Sequence, residues 1–269
     1  MDFEHRLAFP ARLLSKRPAL MLPAVLNWIG EGAALVLATA FLAANPALLE
    51  PYALALLMQD FSPTPQFLLP FAPVLAFGLL VAIAWVLLSG LVGLWFCGIC
   101  QQSAQAVPPS LANGLSFARS RLKRFAGAWL AVAAIATVVA GAVLLLAVPL
   151  IGLLASNPAV AVIGGMFLLF FAAAALLFFS VLFWLLPALV AFRGASGFGA
   201  FAEFYGVAKS RLPAVAVGFL TIAVVSFAVG QLIGLMGQLP IAGYAIAQLL
   251  SLPLVGWSAM VAALVILEK

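Results

Sequence analysis

The chain predicts an all-α polytopic membrane protein: six transmembrane helices in three hairpins, each hairpin preceded by a basic amphipathic interfacial helix, with both termini cytoplasmic. Three observations lead there. Of 269 residues, 67% are hydrophobic and 7% charged, whereas about a quarter of a typical soluble domain is charged. No soluble fold covers that much apolar surface, so the solvent is lipid. Several apolar runs exceed the roughly 20 residues that cross a bilayer as a helix, and the period-2 alternation of a transmembrane barrel is missing. The net charge of +5 collects in a few short stretches between the runs, as the positive-inside rule requires. This accounts for the basic character without nucleic acid.

Residues 1–19 carry Arg6, Arg12, Lys16 and Arg17 interleaved with Phe3, Leu7, Leu13 and Leu14. They read as a helix in the membrane interface, with Pro10 limiting its regularity. The stretch is too charged, and the next apolar run too long and interrupted by a glutamate, for a signal peptide. The first span follows at 20–44. Residues 45–66 form a polar loop with Glu50, Asp60 and several prolines, in which 52–58 is a candidate short surface helix. The second span is 67–97, with Trp95 and Phe96 expected in the aromatic belt, and 101–109 is a linker. Residues 110–129, SLANGLSFARSRLKRFAGAW, are a second basic amphipathic segment running into the third span, 125–154. Ser156-Asn157-Pro158 is a turn.

The fourth apolar run, 159–192, would be about 51 Å long as one helix, longer than a bilayer core of about 30 Å. It either tilts or begins at Gly164-Gly165. The third basic helix is 196–211, the fifth span 212–236, and the sixth 244–267 with an expected kink at Pro253. This count puts all twelve Lys and Arg on one side: Arg6 to Arg17, Arg119 to Arg124, then Arg193, Lys209 and Arg211, and finally Lys269. One span more or fewer would scatter them over both faces.

The basic junctions resemble one another. Lys16-Arg17-Pro18-Ala19, Lys123-Arg124-Phe125-Ala126 and Ser210-Arg211-Leu212-Pro213 each close a surface helix and open a span, and Phe9, Phe117 and Phe204 precede the closing arginines at similar spacing. The chain reads as one membrane domain of three repeat units, roughly 1–109, 110–195 and 196–269, in parallel orientation.

The stretch PALVAFRGASGFGAFAEFYGVAKSRLPAV, residues 187–215, together with the six spans and the acidic external loop, resembles the bacterial inner-membrane YciC family. It is also similar to the membrane domain of some glycerophosphoryl diester phosphodiesterases. The resemblance implies a multi-pass inner-membrane protein. It carries no catalytic residue over, and no phosphodiesterase catalytic domain is present.

Glu31 is the sharpest single residue. An intramembrane carboxylate is expensive and is by default a functional candidate. Asn27 lies one turn earlier on the same face. Two roles are open: relaying protons or holding a cation or headgroup, or bonding to Asn27, Thr221, Ser226 or Gln231 to fix helix packing. Cys97-Gly98-Ile99-Cys100 has the spacing of a redox pair or half a zinc site. His5 is the only histidine and no second cysteine pair exists to relay electrons, so packing is the simpler role. Arg12, Lys16, Arg17, Arg119, Arg121, Lys123, Arg124, Arg193, Lys209 and Arg211 are candidates for anionic headgroups at the cytoplasmic face, or for other membrane subunits. Gly230 and Gly234 give the fifth span a small-residue face. Gln231, Gln238 and Gln248 are placed near its external end.

No phosphate loop, Ser/His/Asp set or carboxylate pair is present, so neither catalysis nor a cofactor or metal is expected. The expected function is non-enzymatic: a lipid-interacting scaffold or an accessory subunit. A small transporter or channel with Glu31 in its pathway is the alternative, and a thiol redox protein using Cys97 and Cys100 a distant one.

Overall fold

The computed structural model describes residues 3–45, 72–236 and 242–267. They form α1 (Phe3–Lys16), a 3-10 turn (Pro18–Met21), α2 (Leu22–Ala44), α3 (Ala72–Ala104), α4 (Leu111–Ser156), α5 (Pro158–Arg193), α6 (Gly199–Met236) and α7 (Ala242–Leu267). Among the described residues there is no strand. Five helical segments are long and apolar enough to cross a membrane: Pro18–Ala44, Ala76–Ala104, Leu111–Leu150, Pro158–Arg193 and Gly199–Gln231. In α7 the corresponding apolar piece is the shorter Ser251–Leu267, within a helix of 26 residues. The protein is thus all-α and multi-pass. The expected surface helix at 52–58 and the polar loop around it, with Glu50 and Asp60, lie outside the described residues, as does Gln238.

Several boundaries differ from the sequence expectation. The second basic segment is no separate helix: α4 runs unbroken through Arg119 to Arg124 and into the span, 46 residues in all. α3 continues to Ala104, past the expected start of the linker, and Trp95 and Phe96 are buried at 6% and 0% exposure instead of standing in an aromatic belt. α5 starts at Pro158, with the Asn157 side chain accepting from Val160 N–H. Gly164-Gly165 does not interrupt it. Pro10 and Pro253 lie inside helices without ending them.

The other two basic junctions do break. Arg17 has φ −137° and ψ 75°, and Arg211 has φ −139° and ψ 28° within α6. Proline explains the difference. Pro18 drives the residue before it out of the helical region. Pro213 has no N–H and would clash with the preceding turn, so the chain restarts at Arg211 with the proline in its new first turn. Phe125-Ala126 imposes neither restriction, and α4 goes straight through.

Consecutive long helices run antiparallel. Asn27 bonds to Ser89 and Phe41 stacks on Phe77 at 4.2 Å across α2 and α3. Trp129 meets Phe183 across α4 and α5, and Arg211 meets Val265 across α6 and α7. The three returning helices, α3, α5 and α7, all touch one another. Around them α2 packs on α3 and α7, α4 on α3 and α5, and α6 on α5 and α7.

Burial concentrates where the three inner helices end. Residues 92–100 of α3, 188–191 of α5 with Leu182, Leu185 and Leu186, and 260–266 of α7 are all buried. This is the closed end of the bundle. Toward the other end, Leu79, Leu80, Leu144, Leu145, Phe167 and Phe170 are exposed, as side chains facing acyl chains are.

Close approach at the closed end depends on Gly90, where a Cβ would fall on the ring of Phe125. Gly90→Leu should therefore overpack this contact and destabilise the fold by about 1–3 kcal/mol, read as a lower unfolding temperature in detergent. Adding Phe125→Ala should restore part of the loss. Wild-type stability in the single variant would mean that α3 and α4 do not meet in this way.

Candidate functional site

The intramembrane polar group is built from two matched pairs one helical turn apart, Asn27 and Glu31 on α2 and Trp85 and Ser89 on α3. Antiparallel packing sets them side by side. Ser89 Oγ–H donates to Asn27 Oδ1 at 3.1 Å. Asn27 Nδ2 donates to Glu31 Oε1 at 2.7 Å, and Trp85 Nε1–H donates to the same oxygen at 3.3 Å. The result is a hydrogen-bonded ladder from α3 through α2 and back.

Asn27, 6% exposed, is the only buried polar side chain among the described residues. Both of its amide atoms are used, as burial in an apolar medium demands. Glu31 is half-buried, and Trp85 is 45% exposed. Glu31 lies about 14 Å along the axis from the start of α2. Its partners on α3 sit one to two turns before the buried stretch that begins at Val92.

The structure thus joins Glu31 to Asn27, as their spacing implied, and supplies two partners that sequence reading passed over. Trp85 and Ser89 are the only such pair at helical spacing on the neighbouring span of the same hairpin; that pairing was the available signal. The other expected partners lie elsewhere. Thr221 Oγ1–H donates to Val217 O on its own helix at 2.7 Å. Ser226 and Gln231 are exposed on α6, and Gly230 has open space where a side chain would be.

The basic residues divide into two groups. Arg12, Lys16, Arg17, Arg119, Lys123, Arg124, Arg193 and Lys209 are exposed, around the closed end. Arg121 and Arg211 are only partly exposed and are committed within the fold. Arg121 Nε–H donates to Ala191 O at 3.2 Å, and its guanidinium lies 3.6 Å from the centroid of Phe117. Arg211 Nη1 donates to Val265 O at 2.6 Å. Each thereby satisfies a carbonyl in the last turn of a neighbouring helix and places positive charge at the negative end of that helix dipole. Of the ten candidates for lipid or partner contact, these two also hold the end of a neighbouring helix.

Cys97 and Cys100 are free thiols, 1% and 0% exposed, on the packed face of α3. Among the described residues no three His, Cys, Asp or Glu side chains cluster where a metal could sit. In this arrangement the thiols fill space at the closed end.

Two outcomes test this description. Asn27→Ala should destabilise the protein by roughly 0.5–2 kcal/mol through loss of bonds across α2 and α3. Glu31→Gln, which keeps an acceptor for Asn27 and Trp85, should stay close to wild type. Equal loss in both variants would show that the acid does more than accept these bonds. In the native protein both cysteines should resist a maleimide, and both should react once sodium dodecyl sulfate unfolds the chain. Rapid native labelling would contradict their burial. Comparison with known proteins yields no relative: no family model, no curated protein and no solved structure matches the chain.

Proposed function

We propose that this chain is a non-enzymatic protein of a bacterial inner membrane that acts by association at its cytoplasmic face, as a lipid-interacting scaffold or an accessory subunit. In this reading α7 is the sixth span, the closed end and both termini are cytoplasmic, and the three hairpins are copies of one unit. The nesting of each outer helix between its own returning helix and that of another hairpin supports the repeat. The location is the one that the resemblance of residues 187–215 to YciC-like membrane proteins implies.

The observation that carries the function is the make-up of the closed end. Eight exposed basic side chains surround a plug of apolar residues with 92–100, 188–191 and 260–266 buried. A packed plug offers nothing for chemistry or conduction, whereas the charges around it match an anionic leaflet. Each is worth about 1 kcal/mol there.

The test is native mass spectrometry of the protein released from nanodiscs of mixed phosphatidylglycerol and phosphatidylcholine. Retained lipid should be enriched in phosphatidylglycerol. Replacing Arg119, Lys123 and Arg124 with Gln should lower that enrichment, by up to about fivefold per charge removed. Unchanged enrichment would remove the lipid-binding role of this cluster.

A second reading makes the protein a small transporter or channel with Glu31 in its pathway. What favours it is the half-buried carboxyl, whose two hydrogen bonds both fall on Oε1. Four grooves of the described surface are lined almost wholly by apolar residues, a fifth by Arg193 and Arg211 with Phe192, Ile266 and Leu267, and Glu31 lines none of the five. Proteoliposomes should then show no proton or cation flux above empty vesicles. A flux that Glu31→Gln abolishes would reverse the order of the two readings.

A further inference from the structure

The break at Arg211 splits α6 into two arms, and between them and α5 lies a groove of ≈ 600 Å³. One wall is α5, with Ala174 and Phe178. The first arm of α6 contributes Phe204 and Ala208, and the second contributes Ala216 and Phe219. Phe178 and Phe204 meet edge to face at 5.3 Å, which ties the first arm across α5. The alanines leave the space that larger residues would fill. Such a space beside a bilayer does not stay empty, because its lining would lose dispersion contacts, and the bilayer supplies acyl chains to fill it. Tyr205, 67% exposed, lines the groove, and Lys209, also exposed, directly follows the lining residue Ala208 along the first arm.

We infer that this crook holds one acyl chain of an anionic phospholipid, with the headgroup against Lys209. The site rests on the lipid-interacting reading above and gives it a location and a lipid class. The groove between α4 and α5, of ≈ 500 Å³ and lined by Ala136, Val143 and Leu176 among others, provides the internal control. Neither groove has a basic residue in its lining, but Lys209 and Arg211 adjoin lining residues of the first, whereas no lining residue of the second has a basic neighbour in sequence, so the second takes acyl chains without regard to headgroup.

The experiment uses the full chain in phosphatidylcholine nanodiscs doped with phosphatidylglycerol carrying a diazirine in one acyl chain. A parallel sample carries the diazirine on phosphatidylcholine, and adducts are mapped by peptide mass spectrometry. Adducts on residues 204–220 should favour the phosphatidylglycerol probe by about fivefold, and those on 136–144 should show no preference. Lys209→Gln should erase the preference. Ala216→Trp should fill the groove and remove adducts of both probes from 204–220 while leaving those on 136–144. Should that variant fail to fold, Ala208→Leu makes the same test on the first arm.

Labelling of 204–220 no different in preference from 136–144, or untouched by the filling variants, would mean ordinary annular lipid and overturn the site. If that happens while Arg119, Lys123 and Arg124 still govern phosphatidylglycerol retention, the groove alone is withdrawn. If retention ignores those residues while the groove behaves as stated, the broader reading loses its charge cluster and the groove stands.

Discussion

The last carbonyls of a helix have no partner within it, and at the closed end of this bundle they are packed away from water. Most of what distinguishes the structure answers that constraint. α5 ends at Gly194, whose φ of 70° suits glycine, and the turn lets Ala195 N–H reach Leu189 O at 3.3 Å. Arg121 serves Ala191, and Arg211 serves Val265. At the end of α3, Gln102 Nε2 donates to Gly98 O, and its Oε1 accepts from Ser110 N–H at 2.7 Å, joining α3 to the start of α4. Indole N–H groups meet further carbonyls: Trp95 that of Leu111, Trp184 that of Ser258 and Trp257 that of Leu7. α5 and α7 can finish side by side because Arg121 and Arg211 supply donors to their last turns, and the indole bonds tie α3 to α4, α5 to α7 and α7 to α1. Charge spent in this way is unavailable to the surface, and so eight of the ten candidate basic residues, not all ten, form the exposed set.

The same end shows how a small change in sequence alters the architecture of similar junctions. Arg17, Arg124 and Arg211 each stand before an apolar run, yet only Arg124 is helical. Without a proline, α4 projects its basic turn in line with the span. With Pro18 and Pro213 the chain turns at the arginine, and the segment before it is free to lie across another helix. α1 lies against α7 in this way, and the first arm of α6 lies across α5. The groove at α5 and α6 lies at the second of these breaks and is lined by residues from both sides of it.

Fold class was legible because composition and run length need no partner information: 67% hydrophobic residues and runs beyond twenty leave one class. Asn27 with Glu31 was legible because helical spacing is local. Trp85 and Ser89 share that spacing, but which residues they meet depends on the register of α3 against α2, which no periodicity in either helix encodes. Arg121 looked like its neighbours Arg119 and Lys123 for the same reason. What separates it is the end of α5, seventy residues away in sequence. Trp95 and Phe96 were misplaced through counting a span from its apolar run. The closed end extends the core past the point where that run stops, and aromatic residues there meet protein instead of headgroups. Pro10 and Pro253 both stand inside helices, which continue past the one hydrogen bond that each proline cannot make.

The position of the Glu31 ladder bears on what it does. α2 is an outer helix, set against α3 and α7, and the three inner helices come together beside it into the buried plug. A solute moving down the axis of the bundle would meet apolar side chains from 92–100 and 260–266, none of which can replace a hydration shell. A route through Glu31 would instead follow the edge between α2 and α3, where Trp85 is 45% exposed. That edge borders lipid. A carboxyl placed there, with Asn27 and Trp85 both donating to one oxygen, holds two helices together. The ladder and the exposed basic residues are thus both polar groups outside the buried apolar stretches 92–100 and 260–266.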